Sequence, residues 1–160
     1  MTAGQAESSP SSFDGESFRL KAFIDGLVGT DEVEVREDAV PLIDIAGHLD
    51  GNARAVLFRN AGPESATVVG NVLGSRSRIA RAFGVPPDRL AQEVLARLAG
   101  EQPVIELARD AAPVQRVVST GNDADLTRLP VHLQHALDGG PYISSGLDFV
   151  IDRKTGWTNV

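Results

Sequence analysis

Residues 53–83 read ARAVLFRNAGPESATVVGNVLGSRSRIARAF. Ala55, Val56, Leu57 and Phe58 form a short continuous apolar run, the pattern of a strand buried on both faces. Ala66 to Val69 reads as a second strand. Gly70 to Gly74 is a turn, and Ser75 to Phe83 a short helix. Strand, strand and helix in so short a stretch point to a mixed α/β domain.

Working outward, the same periodicities continue on both sides. Leu20, Phe23, Ile24 and Leu27 follow the i, i+3, i+4, i+7 spacing of one buried face. They predict a helix over Ser17 to Val28, with Ser17 as N-cap and Gly29 as stop. Glu32 to Val35 alternates as a short strand would. Pro41 opens a helix that carries Ile45, Ala46 and Leu49 on one side and ends at Gly51. Pro86 and Pro87 precede a stronger helix through Leu98, with Leu90, Val94, Leu95 and Leu98 on its inner face and Gly100 beyond. Val104 to Leu107 and Pro113 to Ser119 are predicted strands.

Gly121 to Pro130 is polar and turn-rich and reads as a linker. Tyr142 to Asp152, Arg153 to Gly156 and Trp157 onward then read as strand, turn and strand, a β-hairpin whose second arm is short. A strand left without a partner at Val160 predicts that the natural chain continues. Met1 to Gly15, rich in Ser and acidic residues, predicts a disordered tail and carries no secretory signal. The domain organisation expected is therefore a tail at 1–15, an α/β domain at 16–120, and a linker with the first strands of a second unit at 121–160.

Composition narrows the function classes. The formal charge is −7 over 160 residues, which argues against broad binding to nucleic acid or to an anionic membrane. No apolar run approaches the ~20 residues that cross a bilayer. Without cysteine, the chain has no disulfide, thiolate nucleophile or Cys-ligated metal, which suits a cytoplasmic protein.

Four features invite a chemical reading, each against a plainer one. His132 and His135 are two residues apart, yet a metal site needs three or four convergent ligands, so they and His48 are read as surface or structural. Arg76, Arg78 and Arg81 follow a glycine turn at a helix start, where an anion could sit. Structural or subunit-contact roles are the favoured alternative for them, since Arg pairs readily with carboxylates in so acidic a chain. Asp138-Gly-Gly-Pro-Tyr-Ile-Ser-Ser-Gly146 is either a structural turn or a place where a ligand approaches the backbone. Asn159 carries a neutral amide oxygen suited to a hard cation, as well as to ordinary solvent and turn contacts. No nucleophile–base pair is evident.

Several segments, taken in order, resemble the UbiD family. They are Phe18-Arg-Leu-Lys-Ala-Phe-Ile24, Ala55-Val-Leu-Phe-Arg-Asn60, the block from Val69 through Arg76, Arg78 and Arg81 to Val85, Asp125-Leu-Thr-Arg-Leu-Pro-Val131, the Asp138 to Gly146 segment, and Trp157-Thr-Asn159. Each block alone is weak, but together they stand in the family's order with credible spacing. The resemblance spans about Phe18 to Val160.

The resemblance implies an amino-terminal α/β domain followed by the start of a split β-barrel that holds prenylated flavin mononucleotide (prenylated FMN). It implies that Asn159 ligates a divalent metal, Mn²⁺, beside the cofactor phosphate, with a His and a Glu from further along the chain. It implies that the Trp157 backbone carbonyl helps bind K⁺. The family's catalytic Arg lies five residues beyond this Asn and its Glu residues later still, so none falls within Met1 to Val160. The implied reaction is reversible decarboxylation of an aromatic, heteroaromatic or α,β-unsaturated carboxylic acid, with the flavin as electron sink. A flavin prenyltransferase would supply the cofactor, and a homodimer or higher homo-oligomer is expected. The alternative is a non-catalytic split subunit that assembles with a chain carrying the rest of the barrel.

Overall fold

The computed structural model describes residues 15–100, 107–143 and 150–159. The predicted tail, except for Gly15, lies outside them. So do most of the predicted strand at Val104 to Leu107 and the middle of the one at Tyr142 to Asp152.

Three strands form the sheet: β1 (Val33–Val40), β2 (Ala55–Ala61) and β3 (Ala66–Gly70). β2 is central, parallel to β1 and antiparallel to β3. The parallel step needs a crossover, and α2 (Ile45–Leu49) supplies it, entered through Pro41 and a 3-10 turn over Leu42–Asp44. The antiparallel step is a hairpin. Its corner requires Gly62, which has φ +66°, and a Cβ there would lie 2.8 Å from Leu42 Cγ.

The apolar run in β2 is buried on both faces, as its continuity predicts. Ala55 and Leu57 pack with Ile24, Leu27 and Val33 on one side. Val56, Phe58 and Ala61 pack with Val40 and Ile45 on the other. Successive residues of a strand point to opposite faces, so four consecutive apolar residues feed two separate cores. α1 (Leu20–Asp25) and the turn after it cover the first core, and α2 covers the second. β1 runs longer than its alternation predicts. Its pairing with β2 shifts between Arg36 and Ala39, leaving Glu37 and Asp38 as a bulge.

α3 (Arg76–Ala82) follows β3, with the Ser75 hydroxyl accepting from the Arg78 N–H at its start. A 3-10 turn at Pro87–Arg89 leads into α4 (Leu90–Leu98).

Three expectations are corrected. The first helix is shorter than Ser17 to Val28: Gly15–Phe18 is a 3-10 turn, Arg19 rather than Ser17 occupies the N-cap position, and Leu20 is exposed. Only its carboxy-terminal end reaches the sheet. The inner face assigned to α4 holds at Leu90, which is buried, but Leu95 and Leu98 are 67% and 76% exposed. Pro113 to Ser119 is not a strand. It has a 3-10 turn at Pro113–Gln115, and Val114, Val117 and Val118 are exposed. Among the described residues no strand pairs with this stretch, so its apolar β-formers have no ladder to join there.

Past the turn-rich stretch, where Gly121–Asp123 and Leu126–Arg128 are short 3-10 turns, β4 (Val150–Ile151) and β5 (Thr158–Asn159) pair antiparallel. This is the predicted hairpin.

Candidate functional site

The hairpin places the two residues singled out for metal binding. Val150 pairs with Asn159 and Ile151 with Thr158. The turn is closed by the Asp152 N–H donating to the Trp157 carbonyl (2.9 Å) and the Gly156 N–H donating to the Asp152 carbonyl (2.8 Å). The Asp152 carboxylate accepts from the Lys154 N–H at 2.8 Å, which holds its pKa below the usual value. The Trp157 side chain is 80% exposed. Its carbonyl uses one lone pair on Asp152 and has a second for another donor or a cation. Asn159 lies on the same short arm, two residues on. Among the described residues no group of three or more His, Cys, Asp or Glu side chains could hold a metal.

Arg78 is structural, as the favoured alternative has it, whereas Arg76 and Arg81 are exposed and donate to backbone carbonyls. Arg78 is only 2% exposed, and its guanidinium is fully committed. Nε donates to Val72 O (3.1 Å), Nη1 to Glu32 O (3.3 Å) and Glu32 Oε2 (2.8 Å), and Nη2 to Ala53 O (2.9 Å) and Asn71 O (3.0 Å). Arg76 donates to Pro87 O and Arg81 to Gly26 O, each at 3.0 Å. The buried Arg78 guanidinium has no N–H left for a phosphate.

Glu32 is held by Ser77 Oγ (2.6 Å) as well as by Arg78, and these bonds lower its pKa. Glu34 is lowered likewise by the Asn52 amide, with Arg36 and Arg54 adding to it. A carboxylate whose pKa drops on folding adds stability above its unfolded pKa. That stability is lost as pH falls through the lower folded value. The melting temperature should therefore be flat above about pH 5 and drop below it. Glu32→Gln should lower the plateau and flatten the acid limb. A melting curve whose acid limb is the same in Glu32→Gln would exclude Glu32 as its source.

Sequence reasoning missed Asn71. It adopts φ +54°, and its amide donates to Leu49 O (2.8 Å) and Asn52 O (3.0 Å), tying the end of β3 to the end of α2. Asn after Gly in a turn was the available signal, since Asn tolerates the left-handed region better than most residues. In the Asp138 to Gly146 segment, Gly139 and Gly140 do not use the conformations reserved to glycine. Neither has positive φ, and a Cβ on either would meet nothing within 4 Å.

The histidines separate. His48 lies against Phe58, ring centroids 5.9 Å apart. His132 and His135 line an open crevice of about 870 Å³ with Ala46, Leu49, Asn52 and Asn71. Two of its amides are engaged, Asn71 as above and Asn52 with Glu34.

Comparison with known families gives this architecture its context. Residues 30–98 match the family model described as the 3-octaprenyl-4-hydroxybenzoate carboxy-lyase N-terminal domain. Residues 106–160 match that of the same enzyme's Rift-related domain. The chain belongs to the UbiD family. The UbiD chain is 32% identical over 132 residues to an uncharacterized protein of the cooM 5′ region of Rhodospirillum rubrum, covering 79% of this chain and 28% of that protein. It is 28% identical over 128 residues to an anhydromevalonate phosphate decarboxylase of Methanosarcina mazei, covering 79% and 28%. It is 34% identical over 116 residues to a pyrrole-2-carboxylic acid decarboxylase of Pseudomonas aeruginosa, covering 65% and 23%. Among solved structures it is similar to an evolved dimeric form of the UbiD-class enzyme HmfF from Pelotomaculum thermopropionicum in complex with prFMN. There the TM-score is 0.74 at 25% identity, over 87% of this chain and 33% of that one. The UbiD chain thus spans about a quarter to a third of the length of these relatives.

Proposed function

We propose that the full-length protein is a prenylated-FMN-dependent carboxy-lyase. It acts reversibly on an aromatic, heteroaromatic or α,β-unsaturated carboxylic acid. Residues 16–120 are its amino-terminal domain, and residues 121–160 open the cofactor barrel. The observation that carries this reading is the sequence of two UbiD family segments in one chain, the second ending in a hairpin whose short arm bears Asn159. Decarboxylase relatives and a prFMN-bound neighbour support the same chemistry.

In this reading Asn159 would help to hold a divalent metal such as Mn²⁺ through its amide oxygen, and the Trp157 carbonyl would offer its second lone pair to K⁺. When bound, the prenylated flavin supplies the electron sink for loss of CO₂. The hairpin's part is positional: cross-strand pairing fixes the backbone of Asn159, so the ligand is preorganised rather than recruited from a loose loop. A flavin prenyltransferase supplies the cofactor. The enzyme works in the cytoplasm as a homodimer or larger homo-oligomer, with no nucleic-acid or membrane partner.

Asn159→Ala in the full-length protein tests the assignment. Manganese retention should fall about tenfold or more, flavin content should fall with it, and thermal unfolding of the apoprotein should be unchanged. Metal and flavin contents equal to wild type would refute the role given to Asn159.

A further inference from the structure

β4 and β5 share only two residue pairs, Val150 with Asn159 and Ile151 with Thr158. A ladder that short holds its own register weakly, and in a hairpin the turn sets it. Here side chains specify the turn. The Asp152 carboxylate accepts from the Lys154 N–H at 2.8 Å, and the Thr155 hydroxyl and N–H also bond to it. Asp and Asn fold a backbone in this way, by accepting from the N–H two residues on. The Thr155 hydroxyl in turn accepts from the Trp157 N–H at 3.3 Å. Gly156 then takes φ +72°, which L side chains rarely adopt, although a Cβ there would meet nothing within 4 Å. Beyond it the Asp152 N–H and the Trp157 carbonyl join the two arms.

The effect of this turn reaches Asn159. Successive strand residues face opposite ways, so Thr158 and Asn159 lie on opposite faces of the hairpin. A slip of one residue would put the Thr158 side chain where the Asn159 amide stood.

We infer that Asp152 is a positioning residue for the metal ligand: its carboxylate locks the turn over 153–156 in the register that presents the Asn159 amide. The inference rests on the reading of Asn159 as a metal ligand. Asp152 is not itself a ligand. It acts through the backbone, by an acceptor oxygen that Asn also carries.

Mn²⁺ titration of the full-length protein in excess FMN, followed by electron paramagnetic resonance, tests it. Asp152→Ala should weaken Mn²⁺ binding about tenfold or more, as the loss of a group that orients a ligand does. Asp152→Asn keeps the acceptor and should bind within about twofold of wild type. Both should melt at the wild-type temperature, because the bonds to this carboxylate are exposed. Gly156→Ala strains the turn without changing a charge and should weaken binding as well. Equal weakening in the Ala and Asn variants would overturn the inference, since the carboxylate's charge and not the turn would then matter. Wild-type affinity in Asp152→Ala would overturn it too, and so, should that variant not fold, would wild-type affinity in Gly156→Ala. Asn159→Ala in the same titration keeps the two readings apart. Lost binding there beside wild-type affinity in Asp152→Ala sinks only the role of the turn. Wild-type affinity in Asn159→Ala sinks the metal reading, and this inference with it.

Discussion

Arg78→Ala is expected to destabilise the domain that contains it by about 3–5 kcal/mol, the range seen when one partner of a buried charged network is removed. The substitution strips donors from four backbone carbonyls, Glu32, Ala53, Asn71 and Val72, as well as from the Glu32 carboxylate. It also opens a void where the fully buried side chain stood. Arg78→Lys should recover only a small part. An ammonium has three donors on one atom and cannot span acceptors arranged around a planar fork. Arg76→Ala, which removes one exposed bond to Pro87 O, should cost under about 1 kcal/mol. The urea midpoints of the three variants decide the matter. If Arg78→Ala fell within about 1 kcal/mol of Arg76→Ala, the network would not be what holds this corner together.

Phe58→Ala is expected to cost a similar amount, about 3–5 kcal/mol, by a different route. Phe58 is fully buried, on the face of β2 that packs with Val40, Ile45, Val56 and Ala61, with Leu42, Leu49 and Val68 around it. The wall on one side is the hairpin and on the other the crossover helix, so the cavity cannot collapse without moving both. Phe58→Leu should cost only about 1–1.5 kcal/mol, since it keeps most of the volume. A loss below about 1 kcal/mol for the alanine variant, read from the same urea transition, would mean that this core is loosely packed.

What the sequence made legible was whatever depends on local pattern. Four consecutive apolar residues in β2 could only be a strand with two buried faces. Pro41 marked the start of the helix that makes the crossover, whereas the β2–β3 hairpin and its Gly62 corner were not read from the sequence. What escaped depends on what each element meets. Heptad-like spacing in α4 identified a helix but not the extent of its contact, so Leu95 and Leu98 were placed inside when only Leu90 reaches the core. Val114, Val117 and Val118 have strand propensity, yet no described strand pairs with them. Arg76, Arg78 and Arg81 look equivalent in a sequence. Which of them turns inward is set by helical phase and by the position of Glu32, more than 40 residues earlier. The hairpin bearing Trp157 and Asn159 was visible from its turn residues, whereas the role of Asn159 rested on family resemblance.

The two-faced character of β2 also limits how its length can drift. Adding or removing one residue there would send Leu57 into the compartment shaped for Phe58, and Phe58 into the one shaped for Leu57, along with every side chain beyond the change. β1 is under a looser rule, because Glu37 and Asp38 already stand out of register with β2. Single-residue insertions and deletions compatible with this fold should therefore accumulate at the β1 bulge and be excluded from the neighbouring strand 4.7–4.9 Å or so away, roughly the usual spacing of paired strands.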